Sequence, residues 1–169
     1  MKKIILASAS PRRKELLTTA GIEFDIVIKD VDESIPDGTL PVEAAKMTAK
    51  KKSLAVAKDF EDCTVIGADT IVVAGDKILG KPADKADACK TLRMLSGIEH
   101  EVITGVCIAN GNETDNFAIT SKVKFYELTD AEIAAYVATK EPMDKAGSYG
   151  IQGKGAVFIE GIVGDYPRV

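Results

Sequence analysis

A length of 169 residues falls within the ~100–200 expected of one domain, and 46% hydrophobic against 28% charged residues is enough to bury a core without a metal or disulfide staple. The net charge of −4 excludes a broad nucleic-acid-binding face, which requires clustered basic residues. Nothing approaches the ~18 apolar residues of a membrane span. With no Trp and 5% aromatics, stacking on a nucleobase is confined to isolated positions. The apolar segment after Met1-Lys2-Lys3 is cut short by Pro11, Arg12, Arg13 and Lys14, so it does not read as a signal peptide. Cys63, Cys89 and Cys107 have neither paired nor metal-type spacing, which fits a reducing compartment and core-filling roles. A cytoplasmic location is expected.

In chain order, residues 3–7 read as a short buried strand and 11–20 as a helix, with Ser10 as N-cap, Pro11 at the first helical position and Gly21 as stop. Residues 24–28 read as a second strand, followed by a polar, acidic stretch over 29–39. A helix is predicted over 41–57. Residues 63–74 form an apolar, β-branched run that Gly75-Asp76 turns into a hairpin with 77–79. A helix over 84–95 stops at Ser96-Gly97. Two alternating strands, 101–109 and 117–128, are joined by Asn110-Gly111-Asn112, and Thr129 caps a helix over 130–138. A glycine-rich loop over 141–155 leads to a last strand, 156–160. Helices interspersed with hairpins predict one α/β domain, 1–169, built on a mixed, twisted sheet flanked by helices.

Four places carry chemistry. In Ser8-Ala9-Ser10-Pro11-Arg12-Arg13 a strand enters a helix through a tight turn, where free backbone N–H groups attract phosphate. Arg12 and Arg13 oppose the helix macrodipole in the first turn, and a bound anion would account for them; two solvated arginines would give the same pattern. Asp69 is the one charged residue between Cys63 and Gly75, and a carboxylate there is costly unless paired, hydrogen-bonded or bound to a metal. It could serve as a general base, a metal ligand or both, or simply cap a turn. Lys81 sits in the rigid turn Gly80-Lys81-Pro82, and Lys52 falls on a helical stripe with Val42, Ala45, Ala49 and Val56. Such a lysine reaches across to a phosphate or snorkels to water. In the loop from Glu141, Gly147, Gly150 and Gly153 recur at intervals of three, which fits neither helix nor strand. Gln152 there offers both the donor and the acceptor needed to read a pyrimidine edge. No GxxxxGK[ST] and no GxGxxG are present, and the single histidine, His100, has no partner for a metal cluster and reads as a sheet or turn residue.

Taken together, Leu6-Ala7-Ser8-Ala9-Ser10-Pro11-Arg12-Arg13, Ile66-Gly67-Ala68-Asp69-Thr70, Gly80-Lys81-Pro82, Ser96-Gly97, Val102-Ile103-Thr104-Gly105 and the loop from Glu141 to Gly153 resemble the Maf-like family of nucleoside triphosphate pyrophosphatases. The resemblance implies two lobes around a deep cleft, and cleavage between the α- and β-phosphates to a monophosphate and pyrophosphate. By position it makes Asp69 the general base, assisted by a divalent cation (Mg²⁺ or Mn²⁺), with Glu33 at the metal or the water. Ser8, Arg13, Lys52 and Lys81 would hold the triphosphate. Arg12, Thr70 and Gln152 resemble the subtype acting on dTTP and UTP. A homodimer is a frequent assembly of the family, though no apolar stripe in the sequence decides it. The family pattern runs past Gly164-Asp165-Tyr166 into a Val-Gly-Leu-Pro segment and a final helix, whereas this sequence stops at Val169, so that helix is expected to be missing. Three other readings stay open at this point: a non-catalytic nucleotide-binding regulator of cell division, the same chemistry on 7-methyl-GTP, and the same chemistry on a modified or damaged nucleotide.

Overall fold

The computed structural model describes residues 2–166. Strand β1 (Ile4–Leu6) is buried through Ile5 and Leu6, each 1% exposed. It pairs in parallel with β2 (Asp25–Ile26) and with β3 (Thr64–Ala74), in the register Leu6↔Ile66. Parallel neighbours need crossover connections, and these are helices α1 (Pro11–Thr19) and α2 (Pro41–Ala57), each opened by a proline whose missing N–H costs nothing there. Gly75, at φ +59°, turns β3 back into the antiparallel β4 (Lys77–Leu79). Helix α3 (Lys85–Leu95) starts at Asp84, whose side chain accepts the Asp87 N–H at 2.8 Å. The long strands β5 (Glu99–Asn110) and β6 (Glu113–Phe125) flank Gly111, at φ +61°. Helix α4 (Asp130–Ala138) carries a capping box between Thr129 and Glu132. Three 3-10 turns follow (Glu141–Asp144, Ala146–Ser148, Lys154–Phe158), and β7 (Ile159–Val163) returns antiparallel to β6. The sheet is mixed, in the order β2-β1-β3-β5-β6-β7 with β4 added to β3.

By its contacts the chain divides into two compact units. The first holds the residues up to Asp69 with Thr104–Ile119, and the second holds Thr70–Ile103 with those from Thr120 onward. In the first, Ile5, Ala7, Val56, Val65 and Ala109 form the core. In the second, Leu92, Leu95, Val123, Phe125, Tyr149 and Phe158 are among the buried cluster. The first unit is closed by an unusually near approach of helix to strand. A Cβ at Gly67 would lie 2.5 Å from the Ala49 carbonyl oxygen, and one at Gly105 would lie 2.3 Å from that of Ala45. Helix α2 therefore presents Ala45, Ala49 and Ser53, four residues apart, to two bare backbone stretches, and the Ser53 hydroxyl donates to Val65 O at 3.0 Å.

Three expectations are corrected. The second strand is two exposed residues, not the five of 24–28. Residues 156–158 belong to a 3-10 turn, and the last strand starts at Ile159. Ser10 makes no side-chain cap; its own N–H instead donates to Ser8 Oγ at 3.2 Å, so the turn is closed from one residue earlier in the loop. The three cysteines are free thiols, and only Cys107 is fully buried. Among the described residues no helix is long and apolar enough to cross a membrane.

Candidate active site

Strand β1 ends beside the middle of β3, so Ser8 emerges next to Ala68 and Asp69. Ser8 is 7% exposed, and its hydroxyl oxygen accepts from Arg13 Nη1 at 3.0 Å as well as from Ser10 N. The same guanidinium nitrogen donates to Ala68 O at 2.8 Å. Arg13 thus reaches from the first turn of α1 to the strand carrying Asp69. Burial pushes its pKa down from the usual range, with the Asp69 charge opposing and the Arg12 charge adding to the shift. A guanidinium stays protonated in either case, so a fixed cation is held half-buried against the strand.

Asp69 lies two residues after Gly67, hence on the face of β3 that meets α2. Lys52, one residue before Ser53, lies alongside. Its ammonium donates to Asp69 Oδ1 at 2.7 Å and sits 3.1 Å from Glu33 Oε1. The Lys52 and Asp69 side chains are 19% and 17% exposed, that of Glu33 59%. Lys52 therefore does not snorkel to water. It bridges two carboxylates, one on a strand and one on the acidic loop. That loop is tied down by Lys51, whose ammonium donates to Asp32 O at 2.9 Å and Ser34 O at 3.0 Å, the carbonyls on either side of Glu33. The Asp32 carboxylate accepts from Ser34 N and Oγ, which lowers its own pKa.

Of the sequence-predicted residues, Ser8 is thus bonded to Arg13, and Glu33 and Asp69 are bonded to Lys52, with the two groups linked through the Ala68 carbonyl that precedes Asp69. Arg12 stands beside Arg13 in α1. Thr70 follows Asp69 on β3, with its side chain on the opposite face. Lys81 and Gln152 belong to the second unit. Lys81 is exposed and adds the smallest share to a lowering of the Asp144 pKa that the Lys145 hydrogen bond chiefly causes, while Gln152 Nε2 donates to Tyr166 O at 3.3 Å. Their place in the site rests on the sequence. Sequence reasoning missed Lys51, which looks like any surface lysine in a Lys50-Lys51-Lys52 run, and Tyr136 and Glu141, considered below. His100 is a β5 residue as expected, 2% exposed, with Nε2 2.7 Å from Tyr149 Oη and its ring edge-on to Phe125 and Tyr149.

The Maf-like protein family profile matches residues 3–169. The chain belongs to the Maf-like family. It is 53% identical over 169 residues to a Bacillus anthracis (strain CDC 684 / NRRL 3495) protein named dTTP/UTP pyrophosphatase, covering all of this chain and 88% of that one. A Bacillus cytotoxicus protein of the same name is 52% identical, with the same coverage. Among solved structures, the Staphylococcus aureus Ham1 protein superposes on 75% of this Maf-like chain and 73% of its own at 19% identity, with a TM-score of 0.53. That likeness concerns the fold.

Proposed function

We propose that this Maf-like protein is a nucleoside triphosphate pyrophosphatase that hydrolyses dTTP and UTP to the monophosphate and pyrophosphate. One observation carries the reading: a strand carboxylate, Asp69, is held between fixed cations, Lys52 at 2.7 Å and Arg13 anchored on the adjacent Ala68 carbonyl. A triphosphate carries about four negative charges near neutral pH, and electrostatic neutralisation dominates phosphoryl-transfer catalysis. In this reading Ser8, Arg13, Lys52 and Lys81 hold the phosphates. Asp69 accepts the proton of a water whose oxygen attacks phosphorus in line, the α–β anhydride bond breaks, and the bond electrons leave with pyrophosphate, whose charge the same cations offset.

The donor set also suits a divalent cation. Asp69 and Glu33 share one ammonium, so two carboxylates already face one cation-sized position. Mg²⁺ and Mn²⁺ take oxygen ligands, and Mg²⁺ in particular takes one or two carboxylates plus substrate phosphates and water. Among the described residues no three His, Cys, Asp or Glu side chains converge as a metal site, so the remaining ligands would be phosphate and water. Bound there by Asp69 and Glu33, the cation would polarise the attacking water and a phosphate oxygen.

The names of the Bacillus relatives support dTTP and UTP as substrates, with Arg12, Thr70 and Gln152 as the residues that favour them. The test is product analysis after incubation with dTTP, UTP, CTP, GTP and 7-methyl-GTP, with and without Mg²⁺. Monophosphate and pyrophosphate, metal-dependent and strongest for dTTP or UTP, is the expected outcome. Turnover confined to 7-methyl-GTP would overturn the base assignment, and nucleotide binding without turnover would favour a regulator.

A further inference from the structure

The turn-rich segment after α4 is organised around one carboxylate. Glu141 Oε1 accepts the Tyr136 hydroxyl at 3.0 Å and Gly155 N–H at 3.3 Å, and its Oε2 accepts Lys154 N–H at 3.1 Å. The Tyr136 oxygen in turn accepts Gly150 N–H at 3.2 Å. Tyr136 is 5% exposed, on the inner face of α4. Two side chains therefore gather the backbone N–H groups of Gly150, Lys154 and Gly155, which bracket Gln152.

The glycines record how tight this arrangement is. A Cβ at Gly153 would stand 2.3 Å from Glu141 Oε1, and one at Gly155 would stand 2.9 Å from Gly150 O and 3.0 Å from Tyr136 Oη. These contacts give Gly153 and Gly155 a reason that neither helix nor strand supplies: the chain wraps directly onto the carboxylate. Burial alone would raise the pKa of Glu141, but the Lys154 and Gly155 N–H groups, the Tyr136 hydroxyl and the Lys145 charge together lower it, so the acceptor stays ionised and at full strength.

We propose that the Glu141–Tyr136 pair is a positioning device for base recognition: it fixes the backbone from Gly150 to Gly155, and with it the place from which the exposed Gln152 amide, whose Nε2 donates to Tyr166 O before substrate arrives, turns to the pyrimidine edge of the substrate. The proposal rests on the reading of Gln152 as a base-reading residue, and neither Glu141 nor Tyr136 touches substrate in it. A preorganised amide discriminates between bases, whereas a wandering one contributes little, because ordering it then opposes binding.

The test compares wild type, Glu141→Gln, Tyr136→Phe, Gln152→Ala and the Glu141→Gln/Gln152→Ala double variant. Two readouts are taken: amide hydrogen exchange across residues 150–155, and the ratio of kcat/KM for dTTP to that for dCTP. In Glu141→Gln, exchange across 150–155 rises while α3 and β5 keep their protection. The dTTP/dCTP ratio falls about tenfold, the scale of one hydrogen bond to substrate. Tyr136→Phe moves both readouts the same way by less. The double variant discriminates no worse than Gln152→Ala, since both act through one amide. Unchanged exchange in Glu141→Gln, or an unchanged ratio where Gln152→Ala has lost it, overturns the proposal. So does a Gln152→Ala variant that keeps the wild-type ratio, because nothing is then being positioned. A folded wild type with no dTTP turnover strikes at the proposed function instead. The ratio of the dissociation constants for dTTP and dCTP then takes the place of the kinetic ratio, with the same outcomes.

Discussion

Lys52 Nζ lies 2.7 Å from Asp69 Oδ1 and 3.1 Å from Glu33 Oε1, so one helix-borne ammonium joins a strand carboxylate to a loop carboxylate. Removing it leaves two negative groups facing each other where a polyanion must bind. Lys52→Met is expected to lower kcat/KM for dTTP by roughly 10²-fold, the scale of losing one preorganised donor to a developing anion. Steady-state kinetics at saturating Mg²⁺ checks this, and a variant within twofold of wild type would remove Lys52 from the site.

Gly67 sets how near α2 comes to β3. A methyl group there would meet the Ala49 carbonyl oxygen at 2.5 Å and Ser53 N at 2.6 Å, both backbone atoms that cannot swing aside. Gly67→Ala is expected to push the helix outward, cost roughly 1–3 kcal/mol of stability as overpacking does, and lower activity by drawing Lys52 away from Asp69. Urea unfolding monitored by circular dichroism, paired with kinetics, tests both halves. An unchanged midpoint would show that the helix yields freely.

Much of this was legible in the sequence because local chemistry and fold agree. The helix of residues 41–57 has the predicted ends, opened by Pro41, and Thr129 caps α4 as expected. Asp69 stood out because an isolated carboxylate in an apolar strand needs partners, and its partners were Lys52 and, through Ala68, Arg13. What stayed hidden depends on tertiary contact. β2 is only two residues long because just Asp25 and Ile26 pair with β1, whatever the β-propensity around them. Residues 156–158 have strand-like composition, but Gly155 is held on Glu141 and the chain leaves it in a 3-10 turn. Nothing local marks Tyr136 as more than a core aromatic; its role appears only when Gly150, fourteen residues on, reaches its hydroxyl.

Lys51 holds the carbonyls that flank Glu33. Lys51→Met should loosen the acidic loop and raise the Mg²⁺ concentration for half-maximal activity roughly tenfold, the low end of the range for residues that hold metal ligands in place. The maximal rate at saturating Mg²⁺ should fall far less, and Lys51→Arg should restore most of the Mg²⁺ response. A Mg²⁺ titration of the three proteins decides it: equal half-saturation would refute the role.

His100 is buried in an aromatic cluster that pushes its pKa down to about 4, chiefly through desolvation, with Glu99 opposing. Its ordinary value is 6.5, so the unfolded chain takes up this proton at higher pH than the folded one. The contribution is therefore fully present above pH 6.5 and is lost as pH falls from there toward 4. Between pH 7 and pH 5 wild type should lose roughly 2 kcal/mol more stability than His100→Gln. Denaturant midpoints at the two pH values measure this; parallel losses in both proteins would mean that His100 titrates normally.

Asp69 is the centre of the account, and the most direct measurement is the product profile of dTTP with wild type and Asp69→Asn, side by side in Mg²⁺. The site predicts dTMP and pyrophosphate in equal amounts from wild type. It predicts a rate lower by ~10²-fold or more in the variant, as for removal of a general base, with nucleotide affinity retained through Arg13 and Lys52. Production of dTDP and inorganic phosphate, or an Asp69→Asn variant as fast as wild type, would contradict it.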